Sequence, residues 1–537
     1  MRNRSSSFLL SFLVLVFATN RLCASSSSGV SPAERKLIEK AVPKRPFVKP
    51  KKRRNLLIFE GNVGYPGHPS AARASYAFKL MGKITRAFTA WVSSDPKVFR
   101  AERLKAFDAV VFNNTVGNLF TDKKLRQNLV DFVYSGGGLG GIHGTSVAFT
   151  KWPGAYEDWP EFGIMLGARG ARHRESRELV TIKVEDPENP IVQVFPKKIF
   201  TYRDEFFRFH GPYSRKRVRV LLSIDTERTN VGPRGPWKPE RADNDYALSW
   251  IRSYGRGRVF YCTIGHNPYV FWDPLILRFY LAAFQFLLGD LKAPTTPSAF
   301  LSKTVRAQEK LQWQFALESS NASLSSLIEK AQKAGFLFVE ATTEHITGSE
   351  QKKAFDFKIS TEERESLRLK LDMHSLRLLV LRAKHLPYDR DSLKRLFAFA
   401  RLLGADLLIF NTQPRNLKTL EGLCKGYDLN VAFDPEEDLM EGENYKFLSL
   451  CRSYDNRMGF CLRLNSNPPA LEKLSPFLLR LKALRFSKDL TISPQTAFYL
   501  SRLLEKLKEE KIRPLVLLFP DSSELLKFVE KWITKRA

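Results

Sequence analysis

The sequence predicts an α/β protein, a doubly wound parallel sheet followed by a (β/α)8 barrel. Three observations predict it. From Asn55 to Leu288 short apolar runs alternate with amphipathic stretches, the order that builds a parallel sheet with helices on both faces. From Trp313 onward eight apolar runs are each followed by a helical stretch, and the span 311–537 is close to the ~250 residues typical of such a barrel. Between them "GDLKAPTTPSAF" (Gly289 to Phe300) is rich in Pro and Thr and reads as a linker, taken as 290–310.

The elements follow in order. Residues 1–24 read as a signal peptide: Arg2 and Arg4, an apolar core from Phe8 to Ala18 too short to span a bilayer, and "LCA" as a small-residue cleavage site. The expectation is an exported, periplasmic or secreted protein. Residues 25–53 read as a basic linker, densest in "KRPFVKPKKRR" (Lys44 to Arg54), an arm suited to an anionic envelope surface. A net charge of +30 would ordinarily suggest nucleic acid, but the export signal argues against that partner. Cys262, Cys424, Cys451 and Cys461 show no CxxC spacing and read as small buried residues.

In the first domain (54–289), strands are expected at 55–60, 88–92, 108–114 and in the Gly-rich run ending at His143. Further strands are expected at 178–184, 218–224, 246–251 and 258–264. Helices are expected at 72–87, 122–134 and 268–288. Ligands in such folds bind at the carboxyl ends of the strands. Barrel strands are expected near 313–318, 336–341, 376–381, 406–411, 430–434, 458–464, 481–486 and 513–519.

Five of the eight histidines, His68, His143, His173, His210 and His266, lie in loops after strands, four of them within two residues of a glycine. Such positions suit binding and catalysis better than a core does. The pattern predicts convergence on one pocket, as acid/base groups or ligands of a divalent metal ion. Asp204 and Glu205, close to His210, add carboxylates. Trp250 offers a flat aromatic suited to a sugar face.

"FVYSGGGLGGIHG", "DEFFRF" and "WIRSYGRGRVFYCTIGH" resemble the ThuA-like (trehalose-utilisation) family over roughly residues 54–289. The resemblance implies a flavodoxin-like sheet similar to the class I glutamine amidotransferase domain. His143 stands where those enzymes carry cysteine, and Cys262, the domain's one cysteine, lies in a strand, so a thioester mechanism is ruled out. The resemblance implies chemistry on 3-keto-glycosides derived from disaccharides. A ketone at C3 acidifies the C2 proton, a histidine removes it, and the C1 substituent leaves. His143, His173 and Glu205 are the expected catalytic core or metal ligands. His68, Asp204, His210, Trp250 and His266 are expected to bind substrate, with His68 and His266 lining the mouth. The arginine-rich "GARGARHRESR" around His173 is a departure that would repel a metal or favour an anionic substrate.

The second half resembles the xylose-isomerase-like sugar epimerases in "AGFLFVEAT", "ARLLGADLLIF" and "YDLNVAFDPE". Members hold a divalent ion with carboxylates and a histidine on four strand ends. Here Asp434 stands near one such position, Arg463 replaces an aspartate, and Arg485 or Ser487 stands where histidine would. The barrel is therefore expected to lack its metal. The leading expectation is an exported carbohydrate enzyme with its chemistry in the first domain. The rival is a non-catalytic envelope protein that binds carbohydrate or anionic polymer. No oligomeric state follows from the sequence.

Overall fold

The computed structural model describes residues 29–537 apart from 152–155, 233–240, 319–322, 344–345, 348–352, 436–438 and positions 356, 385, 388, 413, 415 and 522. Residues 1–24, read above as a signal peptide, lie outside the described residues. No helix among those described is long and apolar enough to cross a membrane.

The first sheet has nine strands: β1 (Asn55–Phe59), β2 (Thr89–Ser93), β3 (Ala109–Asn113), β4 (Gly138–Ile142), β5 (Glu178–Val184), β6 (Ile199–Asp204), β7 (Arg219–Ile224), β8 (Ala247–Tyr254) and β9 (Gly257–Cys262). Their order is β2-β1-β3-β4-β9-β8-β7-β5-β6. β2, β1, β3, β4 and β9 run parallel. The expected parallel sheet is present, and the remaining pairings extend it with an antiparallel half. The reason is local: β8 turns directly into β9 through Gly255, and a parallel neighbour needs a crossover of a dozen residues or more.

β3 and β4 are buried on both faces. On one face Leu56, Ile58 and Val111 pack with Phe78 and Met81 of the helix Ala71–Thr85 and Phe284 of the helix Pro274–Leu287. On the other, Leu57, Phe59 and Phe112 pack with Leu129 and Val133 of the helix Lys123–Tyr134. The glycines of β4 explain how close the first layer comes. A Cβ on Gly138 would stand 2.4 Å from the Leu287 carbonyl oxygen, so a side chain there would push the helix off the sheet.

The segment expected as a free basic arm is packed. Pro32–Ala41 is a helix with a Ser31–Glu34 capping box, and it buries Ile38. The Phe47 amide donates to the buried Gln285 side chain at 2.7 Å, and Arg54 forms ion pairs with Asp108 and Asp290. The apolar Phe47 and Val48, set among the cations, anchor the segment.

The eight barrel strands are Trp313–Leu317, Phe338–Thr342, Arg377–Ala383, Leu407–Phe410, Asn430–Phe433, Met458–Leu464, Leu481–Phe486 and Leu515–Phe519. All pairings are parallel, and the first strand closes on the last with Trp313 opposite Leu515. Small side chains such as Ala316, Ala432, Cys461 and Ala483 form a cluster of their own, apart from the larger core beneath the helices. The expected linker is shorter than 290–310, because Lys303–Leu311 is a helix capped by Ser302 that packs on the helix Glu524–Arg536. Sheet and barrel are joined by ion pairs, among them Asp372 with Arg217 and Arg252, and Asp131 with Arg368. Among the described residues, Cys262, Cys424, Cys451 and Cys461 are buried and free, as their spacing suggested.

Candidate functional site

The site grows from the end of β4. His143 adopts a left-handed backbone, φ 43°, a conformation that costs a non-glycine residue about 1–3 kcal/mol and is held only by its surroundings. Here the Tyr261 hydroxyl donates to the His143 carbonyl at 2.7 Å, and His143 Nδ1 lies 2.8 Å from the Thr263 carbonyl oxygen. A carbonyl only accepts, so Nδ1 carries the proton and Nε2 presents its lone pair. The next residue must be small: a Cβ on Gly144 would lie 2.7 Å from His68 Cε1. Glycine after the elbow is what lets the second imidazole approach.

His68 is oriented in the same way, its Nδ1 3.3 Å from the carbonyl oxygen of Asn114. Asn114, at the end of β3, is itself left-handed at φ 55°, which aims that carbonyl. His266 sits on the turn after β9, where Asp204 Oδ2 accepts from the Gly265 and His266 amides and Oδ1 from that of Asn267. The ring centroids of His68 and His143 are 4.9 Å apart, those of His143 and His266 5.1 Å, and those of His68 and His266 5.4 Å. One nitrogen from each lies within 4.8 Å of the others.

Glu205 lies across this trio. Its Oε1 is 3.3 Å from His143 Nε2, and its Oε2 is 3.7 Å from His266 Nε2 and 3.3 Å from Nδ1 of His173. The His143 approach is close but lacks hydrogen-bond alignment, and Nε2 is buried with no hydrogen-bond partner, as is His266 Nδ1. A lone pair facing a carboxylate at that distance requires a positive charge between them, a proton or a metal ion.

The electrostatics divide the groups. Burial, reinforced by the neighbouring imidazoles, lowers His68 to about 3 and His266 to about 4, so both are neutral at pH 7. Burial lowers His173 as well, opposed by Glu205. Burial raises the Glu205 carboxyl, but His143, His173 and His266 outweigh it and hold the group at about 2. An imidazole whose Nδ1 faces a carbonyl, as in His68 and His143, is oriented as metal-binding histidines are, while His266 Nδ1 has no hydrogen-bond partner. The trio therefore fits one divalent cation after small ring movements, with Glu205 beside it. His173 differs. Its side chain is 42% exposed, and with Nδ1 toward Glu205 its Nε2 is the outward nitrogen.

Five of the expected residues are thus brought together, His68, His143, His173, Glu205 and His266. The expected set does meet, with Glu205 3.3 Å from both His143 and His173, and His68, His143 and His266 form a second grouping close enough to share an ion. Asp204 does not bind substrate: it is buried and spent on the turn amides, because a β-strand ending beside a tight turn leaves N–H groups that need an acceptor. Trp250 is wholly buried, donates Nε1 to the Leu166 carbonyl and stacks on Tyr261, so it is core rather than a sugar platform. His210 lies on the short strand Arg208–His210, and its side chain lies outside the described residues.

Arginines flanking His173 are absorbed elsewhere. Arg169 donates to the Ala148 and Trp159 carbonyls, Arg174 to those of Asn230 and Gly232, and Arg208 pairs with Glu178 at 2.8 Å. Sequence reasoning missed Asn114 and Thr263, whose carbonyls fix the two tautomers. It also missed Phe207, whose ring lies 4.8 Å from His143 and 5.6 Å from His173.

The carboxyl ends of the barrel strands hold a different cluster. Counting by twos from the interior Ala316, Ala432, Cys461 and Ala483 leads to Glu318, Asp434, Arg463 and Arg485. Glu340 and Arg382 follow Phe338 and Val380 in the same phase. Asp434 contacts Arg382 at 2.6 Å, Arg485 at 3.1 Å and Arg463 at 3.4 Å, while Arg382 also pairs with Glu340 and Arg485 with Glu318. Three guanidinium groups occupy the space that a divalent ion would need, so these residues do not fit a metal.

No curated protein matches the chain. Among solved structures, a ThuA-like protein of Bacteroides uniformis is 22% identical, covering 46% of this chain and 93% of its own, with a TM-score of 0.37. A sugar phosphate isomerase/epimerase of Parabacteroides distasonis is 10% identical over 41% of this chain and 94% of its own, TM-score 0.31. A xylose isomerase domain protein of Planctomyces limnophilus is 11% identical over 42% and 93%, TM-score 0.28. Residues 55–287, the span that carries the histidine cluster, match the family model ThuA, described as trehalose utilisation.

Proposed function

We propose that the first domain processes carbohydrate by abstracting a proton next to a carbonyl on a sugar ring, acting on 3-keto-glycosides or related disaccharide derivatives with loss of the C1 substituent. One observation carries this reading. A single carboxylate, Glu205, is shared between His143 and His266 of the histidine trio and the half-exposed His173. In this reading His173 is the base: Glu205 holds its Nδ1 side, and Nε2 takes the C2 proton at the mouth. The C2–H electrons become the C1–C2 double bond as the C1–O bond breaks, and Nε2 returns the proton to the leaving oxygen. Glu205, at about 2, stays ionised at neutral pH and so orients His173 without competing for the proton. His68, His143 and His266 would hold a divalent cation, which when bound would polarise the C3 carbonyl oxygen as a Lewis acid. The Phe207 ring, 4.8 Å from His143 and 5.6 Å from His173, would form an apolar wall beside the reacting carbon.

The family description of residues 55–287 supports carbohydrate as the substrate class. The test is turnover of a 3-keto-disaccharide together with bound divalent metal, in the wild type, His143→Ala and His173→Gln. Loss of both in the first variant and of turnover alone in the second is the expected result. A wild type with metal but no turnover on any 3-keto-glycoside would overturn the reaction assignment.

We also infer export from residues 1–24. The N-terminal mass of the protein recovered from a secreting host tests it, and an intact Met1 would reject it.

A further inference from the structure

A cavity of ≈ 1210 Å³ lies at the opposite end of the barrel from the Arg382 cluster. Its floor is the amino ends of the barrel strands, and its roof is the 291–296 segment with Arg256 and Arg258 at one end of the first sheet. Eight of its lining side chains are Lys or Arg and five are Asp or Glu. Four of the five carboxylates are already engaged, Glu309 with Arg219, while Glu530 has no ion pair among the described residues. Asp406 pairs with Arg256 and Arg377, Asp428 with Arg256 and Arg457, and Asp455 with Arg457.

Some of these cations answer a purely structural need. In a (β/α)8 barrel the helix carboxyl termini gather at this end, and their carbonyls attract positive charge. Arg256 donates to the Ala405 and Asp428 carbonyls, and Arg258 to those of Leu287 and Gly136. Lys482 does not fit that account. It is only 8% exposed, it lines the cavity, and among the described residues neither a carboxylate nor a carbonyl accepts from it. Burial, with Arg480 next in effect, pushes its ammonium down to about 8, and burial with Arg54 and Arg256 pushes Arg258 down to about 10. A largely buried lysine with no carboxylate partner among the described residues, set among surplus cations, leaves a concave region of positive potential.

We propose that this cavity binds a multiply charged small anion, phosphorylated or polycarboxylate, with Lys482 as its buried contact and Arg513 at the rim. The site is separate from the histidine cluster and does not depend on the reading given above for that cluster.

Titration calorimetry at fixed ionic strength with inorganic phosphate, pyrophosphate and citrate tests it, on the full chain, Lys482→Met and Arg513→Gln. The expected result is one saturable site per chain. Binding should weaken about tenfold or more in Lys482→Met and several-fold in Arg513→Gln, as loss of a charge-assisted contact implies. Preference for pyrophosphate over citrate, or the reverse, separates the phosphorylated from the carboxylate source. His143→Ala should bind as the wild type does. In anion-free buffer Lys482→Met should melt at the same temperature or higher, since it removes an uncompensated charge. A lower melting temperature there would make Lys482 a structural residue and overturn the proposal. So would equal binding by wild type and Lys482→Met, an adventitious ion only, or no saturable binding of any of the three probes.

Discussion

Two clusters of polar side chains stand at the carboxyl ends of two different sheets in this chain, and they are built on opposite principles. At the first sheet, His68 and His143 tie Nδ1 to backbone carbonyls and turn Nε2 inward, where His143 Nε2 finds no hydrogen-bond partner. That cluster is electrostatically incomplete and calls for a cation or a proton. At the barrel, Arg382, Arg463 and Arg485 interleave with Glu318, Glu340 and Asp434, and the ionic groups neutralise one another. The same topological position can therefore be left open for chemistry or closed by guanidinium groups, and the difference lies in which side chains carry their own counter-charge.

The sharpest way to break this contrast is to reopen the closed cluster. Arg382→Met leaves Glu340 and Asp434, both 1% exposed, without their shared cation, and removing one partner of a buried ion pair costs about 3–5 kcal/mol. Urea unfolding should show a loss of that size. If added Mg2+ or Mn2+ restores the stability, the guanidinium is a substitute for a divalent ion. A variant as stable as the wild type without metal would mean that the cluster is not the closed unit described.

The next effect concerns the open cluster. His173→Gln should lower turnover by about 10²–10⁴-fold, the usual contribution of a general base, while leaving the divalent metal content unchanged. Equal loss of metal would place His173 in the trio and erase the distinction drawn here between ligand and base. A smaller effect is expected from Asp204→Asn, which removes an acceptor from the turn that carries His266. Partners that orient a ligand typically change metal affinity by about 10–100-fold, and competition with a chelator measures it.

The sheet and barrel were legible in the sequence because both rest on apolar runs of fixed period. The run Met458–Leu464 marks a barrel strand by its pattern alone. The antiparallel half of the first sheet was less so. The edge strand β6, "IFTYRD", lacks a clean period-two alternation and leaves much of its surface exposed, so it reads like loop. Five site residues were found because a histidine after a strand and beside a glycine is an unusual placement. The trio was not legible as a group, because it depends on the backbone angles at His143 and Asn114 and on two carbonyl oxygens, which leave no mark in residue type. Asp204 and Trp250 misled for a related reason. Carboxylate and indole are as useful for satisfying buried amides and filling a core as they are for binding a sugar.

Acid should separate the two clusters most gently. His68 and His266 are lowered to about 3 and 4 from an unfolded value near 6.5, so between pH ~4 and ~6.5 the unfolded chain binds protons that the folded site does not. Stability from the histidine site is therefore complete above pH ~6.5 and declines as pH falls through that window. Asp434 in the barrel also shifts down, but from a lower starting value. Burial raises it, but Arg382, Arg463 and Arg485 outweigh burial and lower it below the usual aspartate value, so its contribution persists until pH drops under ~4. Hydrogen exchange at pH 5 should then show faster opening of β4 and the 263–267 turn than at pH 7, with the barrel strands unchanged. Bound cation should oppose the change, because it competes with protons for the same nitrogens. If the barrel opens first, the guanidinium cluster is the weaker of the two and the contrast between an open and a closed cluster fails.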